Sequence, residues 1–245
     1  MIKYISFLVV IIFFSCTVQK DPDIINFEKK LGPESVETLN KLVADFETKY
    51  LKIYYKDVTI DEAYLLFLKD IKKGDSVQEY NYKKMYEMFK KSKLFSDIYL
   101  KVDSVWIAKD KNNNPPDFTD DSAIELNIPN PYPKLIIRFK GQNFENDYYY
   151  EDQSFSASDR SYFEKYSEEE IIQDGYRRRR FNNIGNYAMA LYDLQDRGIV
   201  FKNFYKHKES SGGFDMSILA SGLLYDKADT SDYFIKRIIV LDIFY

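Results

Sequence analysis

The sequence predicts an α+β protein that is mainly helical, with a helical N-terminal half and a C-terminal half that mixes helices and strands. Apolar residues recur at a helical period through residues 33–73. Nearly continuous apolar runs, of the kind found in buried strands, occur at 134–140 and 238–241. The 245 residues, 45% hydrophobic and 30% charged, are enough for one large core or two adjoining ones.

The N-terminal residues have the pattern of a targeting signal. Lys3 is followed by an almost purely apolar stretch from Tyr4 to Phe14. This stretch is about half of the ~20 residues that cross a bilayer as a helix, so it is typical of a secretory signal. The sequence therefore predicts a signal peptide over residues 1–15 and a short polar tether over residues 16–22.

Ser15 and Cys16 resemble the end of a bacterial lipoprotein signal, in which a cysteine is acylated and becomes the new N-terminus. The resemblance implies that Cys16, the only cysteine, carries acyl chains such as palmitate and anchors the protein in a membrane. The alternative is a secreted protein with an incidental cysteine. Thr17 implies the outer membrane by the same resemblance. Residues 19–21 are similar to a surface-export tag, so the periplasmic and cell-surface faces both stay open.

Residues 23–108 are predicted to form a mainly helical subdomain. Pro33 suits the first turn of a helix, and a stripe of apolar residues follows it at alternating spacings of three and four. The stripe consists of Val36, Leu39, Val43, Phe46, Tyr50 and Ile53.

Two more helices and an extended segment are expected in this subdomain. One helix begins at Thr59, because Glu62 stands at the capping-box spacing, and it ends at Gly74. Another is predicted over residues 79–91, and an extended segment over residues 100–107.

The second half is predicted as a mixed α/β subdomain over residues 134–245, joined by a connection rich in proline and asparagine over residues 109–133. It opens with a buried strand at 134–140. Residues 142–166 are acidic and aromatic without clear periodicity, which predicts a long surface loop. The apolar run 238–241 predicts a closing strand paired near the first one.

Three helices are expected between these strands. Ser167 and Glu170 repeat the capping-box spacing, and Gly175 ends the short helix that they begin. Residues 184–194 and 199–208 predict two further helices separated by a glycine.

Three segments of this half are similar to stretches in uncharacterised lipoproteins of flavobacteria, within the Bacteroidota. They are Asn182–Leu194, Ser217–Leu224 and Tyr233–Val240. The resemblance implies an envelope compartment and a lineage, and it implies no catalytic residue.

Composition excludes several classes of function. A net charge of −4 argues against a nucleic-acid partner, which needs a basic face. One cysteine and one histidine exclude the common zinc sites, and the chain has no glycine-rich phosphate loop, so no cofactor is predicted. His207 is the only imidazole, and we expect it to be a solvated helix residue without a catalytic role.

One loop has part of the spacing of a calcium site. Asp110, Asn112, Asn114 and Asp121 carry oxygen donors at such intervals. Pro115, however, stands where the calcium loop needs glycine. We therefore favour a solvated loop and predict no metal.

Two groups are candidates for binding. The run Arg177, Arg178, Arg179 and Arg180 suits a planar anion, because guanidinium groups bind oxyanions through paired hydrogen bonds. The alternative is a solvated face balanced by residues 168–170. The aromatic cluster is expected either to stack on sugars or meet a protein partner, or to fold back onto the core. It consists of Tyr148, Tyr149, Tyr150, Phe155, Tyr162, Phe163 and Tyr166.

These observations predict a membrane-anchored, non-enzymatic binding or interaction protein of the bacterial envelope, whose partner is an envelope protein or a glycan. The alternative is a carboxylate-dependent hydrolase of an envelope or extracellular carbohydrate. That chemistry requires two carboxyl groups at a defined separation across a cleft, which a sequence does not give.

Overall fold

A computed structural model describes residues 20–74, 82–115, 133–140, 148–153, 162–211 and 215–245. It confirms the predicted class, because helices dominate and one small antiparallel sheet accompanies them. The tether and signal segments up to residue 19 lie outside the described residues, as does Cys16.

The N-terminal helices follow the predicted pattern. Helix α1 spans Pro22–Leu31, and the Asp21 carboxylate caps it by accepting from the Asp23 N–H at 2.9 Å. Helix α2 spans Pro33–Asp45 and continues through a π-helical segment, Phe46–Leu51, into a last turn at Lys52–Tyr54.

Three further helices complete this half. Helix α3 spans Ile60–Lys73, with the predicted capping box at its start and the predicted glycine, at φ +81°, after its end. Helices α4 at Lys83–Lys90 and α5 at Lys93–Ile98 lead into the sheet. The predicted start of α4, before residue 82, lies outside the described residues.

The sheet has the strand order β3-β2-β1-β4, and its pairs are antiparallel. The strands are β1 at Tyr99–Ala108, β2 at Lys134–Lys140, β3 at Tyr148–Gln153 and β4 at Arg180–Phe181. Strands β1 and β2 confirm two predictions. Strand β2 is buried at every position from Lys134 to Ile137, as expected for a central strand.

The surface loop predicted over residues 142–166 is wrong in part. Strand β3 pairs with β2, with Tyr149 opposite Phe139, and residues 162–165 are helical. Tyrosine favours strands, and β3 covers an edge that β2 would otherwise expose.

The helices of the C-terminal half are α6 at Glu168–Gly175, α7 at Asn186–Asp193, α8 at Ile199–Ser211, α9 at Met216–Tyr225 and α10 at Tyr233–Ile239. The first three confirm predicted helices.

The closing strand predicted at 238–241 is wrong. Helix α10 and a π-helical turn, Val240–Phe244, occupy this segment. The Asp232 carboxylate accepts from the N–H groups of Phe234 and Ile235, at 2.7 and 3.1 Å, and fixes the helix start. A short apolar run that is buried on all sides does not distinguish a helix from a strand.

Two apolar clusters form the core. The larger draws on α1–α3 and on α7–α10, so it joins residues from both predicted subdomains. The smaller lies between the sheet and α6 and includes Val105, Ile137, Phe139 and Ile171. In the described ranges, no helix is both long enough and apolar enough to cross a membrane.

Candidate anion-binding site

The arginine run lies between α6 and the sheet edge. The Ser167–Glu170 capping box fixes the start of α6, and Gly175 forms its last residue. A Cβ atom at Gly175 would lie 2.6 Å from Cγ1 of Val105 on β1, so glycine permits the helix end to approach the sheet closely. Arg180 then pairs with Leu100 in the β1–β4 ladder.

The run forms one wall of a surface cleft of about 560 Å³, which we call the arginine cleft. Its opposite wall comes from α4, α5 and β1. The lining residues are Tyr86, Lys90, Phe95, Leu100, Lys101, Val102, Tyr176, Arg177, Arg178 and Arg179. The cleft therefore combines cationic and aromatic side chains.

Arg179 is surrounded by three aromatic rings. Its guanidinium carbon lies 5.1 Å from the ring centroid of Tyr86, 5.6 Å from that of Phe95 and 5.4 Å from that of Tyr99. Partial burial lowers the pKa of Arg179 from its usual value, but an arginine stays charged at neutral pH. Cation–π attraction holds the group in place.

The cleft has an excess of positive charge. Arg178 pairs with Asp174 at 3.1 Å, and Lys90 lies 3.4 Å from Glu87. In the part of the chain that the structure describes, no carboxylate lies within ion-pair distance of Lys101, Arg177 or Arg179. Three cations therefore meet in one cleft without a counter-charge from these residues.

A second surface depression, the tyrosine groove, adjoins the cleft and has a volume of about 740 Å³. It is lined by Tyr162, Tyr166, Ser167, Glu169, Glu170, Gln173, Asp174 and Arg177. Two members of the predicted aromatic cluster thus lie beside the arginines. Tyr148, Tyr149 and Tyr150 lie on β3, and their side chains are outside the described set.

Two of the carboxylates in the tyrosine groove have structural partners. Glu170 accepts from the Ser167 N–H at 2.8 Å, and Asp174 accepts from the Tyr162 hydroxyl at 3.0 Å. Among the described residues, every carboxyl group whose pKa departs from its ordinary value is shifted downward. A general acid for glycoside hydrolysis needs the opposite shift.

The other sequence candidates lie apart from the cleft. His207, on α8, lines a groove of about 350 Å³ between α8 and α9. Asp110 caps a short turn by accepting from the Asn112 N–H at 2.8 Å, and Asp121 lies outside the described residues. Over the described ranges, no group of three His, Cys, Asp or Glu side chains is placed to hold a metal ion.

Sequence reasoning missed a buried ion pair between Lys208 on α8 and Asp242 in the last turn. Their side chains are 2% and 3% exposed, and the Lys208 ammonium donates a hydrogen bond to the Asp242 carboxylate. Lys208 also lies near the rings of Tyr99 and Phe181, at 5.6 and 5.2 Å. The sequence contains one signal of this burial. Lys208 follows Phe201, Phe204 and Tyr205 at helical spacing, so it lies on the buried face of α8.

Comparison of the chain with family models, with curated proteins and with solved structures finds no match.

Proposed function

We propose that this chain is a lipid-anchored protein of the bacterial outer membrane that binds an acidic carbohydrate in the arginine cleft. The observation that carries the proposal is the cluster of Lys101, Arg177 and Arg179, which has no carboxylate partner in the described part of the chain. Uncompensated cations beside aromatic rings suit a ligand that has both an anionic group and an apolar face.

The anionic group supplies the first part of the recognition. The three rings around Arg179 hold its guanidinium plane, and none of its N–H groups donates a hydrogen bond within the described residues. A carboxylate or phosphate that accepts such bonds contributes about 1.5–3 kcal/mol per charged hydrogen bond. Because the rings order the side chain beforehand, binding costs little further entropy.

Aromatic side chains supply the second part. Tyr176 lines the cleft and is 49% exposed, and Tyr86 and Phe95 line the opposite wall. Such rings offer a flat apolar surface to the C–H face of a sugar. A free inorganic anion would use only the cations.

The anchor is a separate part of the proposal and depends on Cys16. A Cys16→Ser variant of the full chain is expected to leave the membrane fraction. Mass spectrometry of the wild-type N-terminus is expected to show an acylated cysteine. Retention of the variant in membranes, or an unmodified wild-type cysteine, would contradict the anchor without affecting the cleft.

Calorimetry tests the cleft, with the full chain purified in detergent and a hyaluronan hexasaccharide as the probe. Arg177→Gln/Arg179→Gln is expected to weaken binding at least about tenfold, because it removes charged hydrogen-bond donors. The matched control is Lys69→Gln/Lys72→Gln, which removes two exposed cations from α3 and is expected to bind like wild type.

Equal losses of affinity in the two double variants would show that the binding is non-specific charge attraction. Absence of wild-type binding to any acidic glycan would refute the proposal. The same mixtures are assayed for new reducing ends. Their appearance would favour the hydrolase that the sequence left as an alternative.

A further inference from the structure

We infer that the arginine cleft and the tyrosine groove are two subsites of one extended site, which takes an oligosaccharide with an acidic sugar next to a neutral or amino sugar. The inference rests on the proposed function and specifies its ligand class. Its basis is that two differently charged depressions share one lining residue.

The two depressions meet at the end of α6. Arg177 lines both of them. The Asp174–Arg178 ion pair also joins them, since Asp174 lines the groove and Arg178 lines the cleft. Each volume falls in the range of about 300–1,000 Å³ that suits a small ligand. Together they suit a chain of linked units.

One ridge of side chains leads from the groove to the cleft. Glu169 and Gln173 are four residues apart on α6, which places them on one face of the helix, and Arg177 follows in the turn after the helix ends. All three line the groove. Charge along this ridge changes from negative through neutral to positive, so it favours a ligand whose charge changes in the opposite sense.

The groove offers groups that bind sugar hydroxyls or an amine. Glu169 and Gln173 are exposed, and within the described residues neither side chain has a hydrogen-bond or ion-pair partner. The rings of Tyr162 and Tyr166 lie 4.9 Å apart, and Tyr166 is 39% exposed. A second acidic sugar here would meet the charge of Glu169, which disfavours a ligand that is acidic at every position.

The test compares three hexasaccharides of equal length on the detergent-purified full chain. Hyaluronan alternates an acidic with a neutral sugar, hexagalacturonate is acidic throughout, and chitohexaose is neutral throughout. Hyaluronan is expected to bind about tenfold more tightly than hexagalacturonate. In the groove, its neutral sugar makes a favourable contact where an acidic sugar would be repelled by Glu169. Chitohexaose is expected to bind more weakly than either.

Two groove variants distinguish the subsites. Tyr166→Ala and Gln173→Ala are each expected to weaken hyaluronan binding about five- to tenfold, as loss of one aromatic or hydrogen-bonding contact does. Hexagalacturonate binding, which depends on the cleft, is expected to change less than about twofold. The control is Tyr225→Ala, which removes a tyrosine that is 86% exposed on α9.

The outcomes separate the two proposals. Equal affinity for hyaluronan and hexagalacturonate, unaffected by both groove variants, would overturn the two-subsite inference and leave the acidic ligand in place. Absence of binding by all acidic probes would overturn the proposed function itself. Circular dichroism of each variant confirms that the fold is retained, and the Gln173 variant decides the matter if Tyr166→Ala does not fold.

Discussion

Two cations lie close to the Tyr99 ring, but in very different surroundings. The Lys208 ammonium is 5.6 Å from its centroid and the Arg179 guanidinium carbon is 5.4 Å from it. Lys208 is buried and bonded to Asp242. Arg179 is exposed, and the other rings within cation–π distance of it in the described structure are those of Tyr86 and Phe95.

The difference separates a structural cation from one that is open to a ligand. A buried charge must be paired, because desolvation of an unpaired charge costs several kcal/mol. The Arg179 charge is only partly desolvated, so it has no such requirement. Aromatic rings can therefore orient Arg179 without neutralising it, and its charge remains for a ligand.

Tyr99 does not neutralise either cation. Burial raises the pKa of Tyr99 well above its usual value, and the nearby Asp242 charge raises it further. The phenol therefore stays protonated at neutral pH. The ring acts on both cations through its π face and contributes no negative charge.

The largest expected effect comes from breaking the buried pair. Lys208→Met leaves the Asp242 carboxylate buried and unpaired, which is expected to lower the free energy of unfolding by about 3–5 kcal/mol. Urea denaturation of the purified chain measures the loss.

The double variant Lys208→Met/Asp242→Leu provides the control. It removes both charges and is expected to recover most of the lost stability, because apolar pairs of similar volume often replace buried ion pairs without cost. A single variant as stable as wild type would show that Lys208 is not a structural cation.

The next effect comes from removing the ring that the two cations share. Tyr99→Leu is expected to lower the free energy of unfolding by about 2 kcal/mol, the size of a desolvated cation–π contact. It is also expected to weaken hyaluronan binding, since Arg179 loses one of the rings that orient it. Tyr99→Phe keeps the ring and is the control. An equal loss of binding in both variants would contradict a role for the ring.

The third effect tests whether Arg179 binds ligand rather than stabilising the fold. Arg179→Gln is expected to change the free energy of unfolding by less than about 1 kcal/mol, as for an exposed cation–π contact. Its hyaluronan affinity is expected to fall about tenfold. If urea denaturation instead shows a loss as large as that of Lys208→Met, the distinction between the two cations does not hold.

Local signals in the sequence predicted local structure well. The capping boxes at Thr59 and Ser167 gave both helix starts, because each box uses only neighbouring atoms. The strand predicted at 238–241 was wrong because its apolar pattern does not specify a period. Strand β3 was missed because its sequence, Tyr148–Gln153, does not alternate apolar and polar residues, although its partner β2 is the strand directly before it in the chain.

The candidate site could be predicted only in part, because its two walls are far apart in the sequence. The arginine run is visible in the sequence, but the rings around Arg179 come from Tyr86, Phe95 and Tyr99, about 80–95 residues earlier. The tertiary fold brings these rings to the run. The sequence shows where the cations are. Only the fold shows that, among the described residues, Arg178 has a carboxylate partner and Arg179 has none.

The smallest effect concerns the two capping boxes, one on α3 in the main core and one on α6 beside the site. Hydrogen bonds from the backbone N–H groups of Thr59 and Ser167 lower the pKa of Glu62 and Glu170 respectively, and bonds from their hydroxyl groups, which alanine removes, lower it further. Because these folded-state pKa values lie below the unfolded ones, the stabilisation is present above the unfolded pKa, near pH 4.5. It is lost as the pH falls through the folded values.

Thr59→Ala and Ser167→Ala are therefore expected to lose less stability than wild type on acidification from about pH 6 to about pH 3. Only Ser167→Ala is expected to weaken hyaluronan binding at pH 7, by about two- to threefold, because fraying of α6 displaces Arg177 and the ridge that leads to it. Urea denaturation across pH and calorimetry at pH 7 measure the two effects. If Thr59→Ala weakens binding equally, the loss reflects general destabilisation, and α6 has no special part in positioning the arginines.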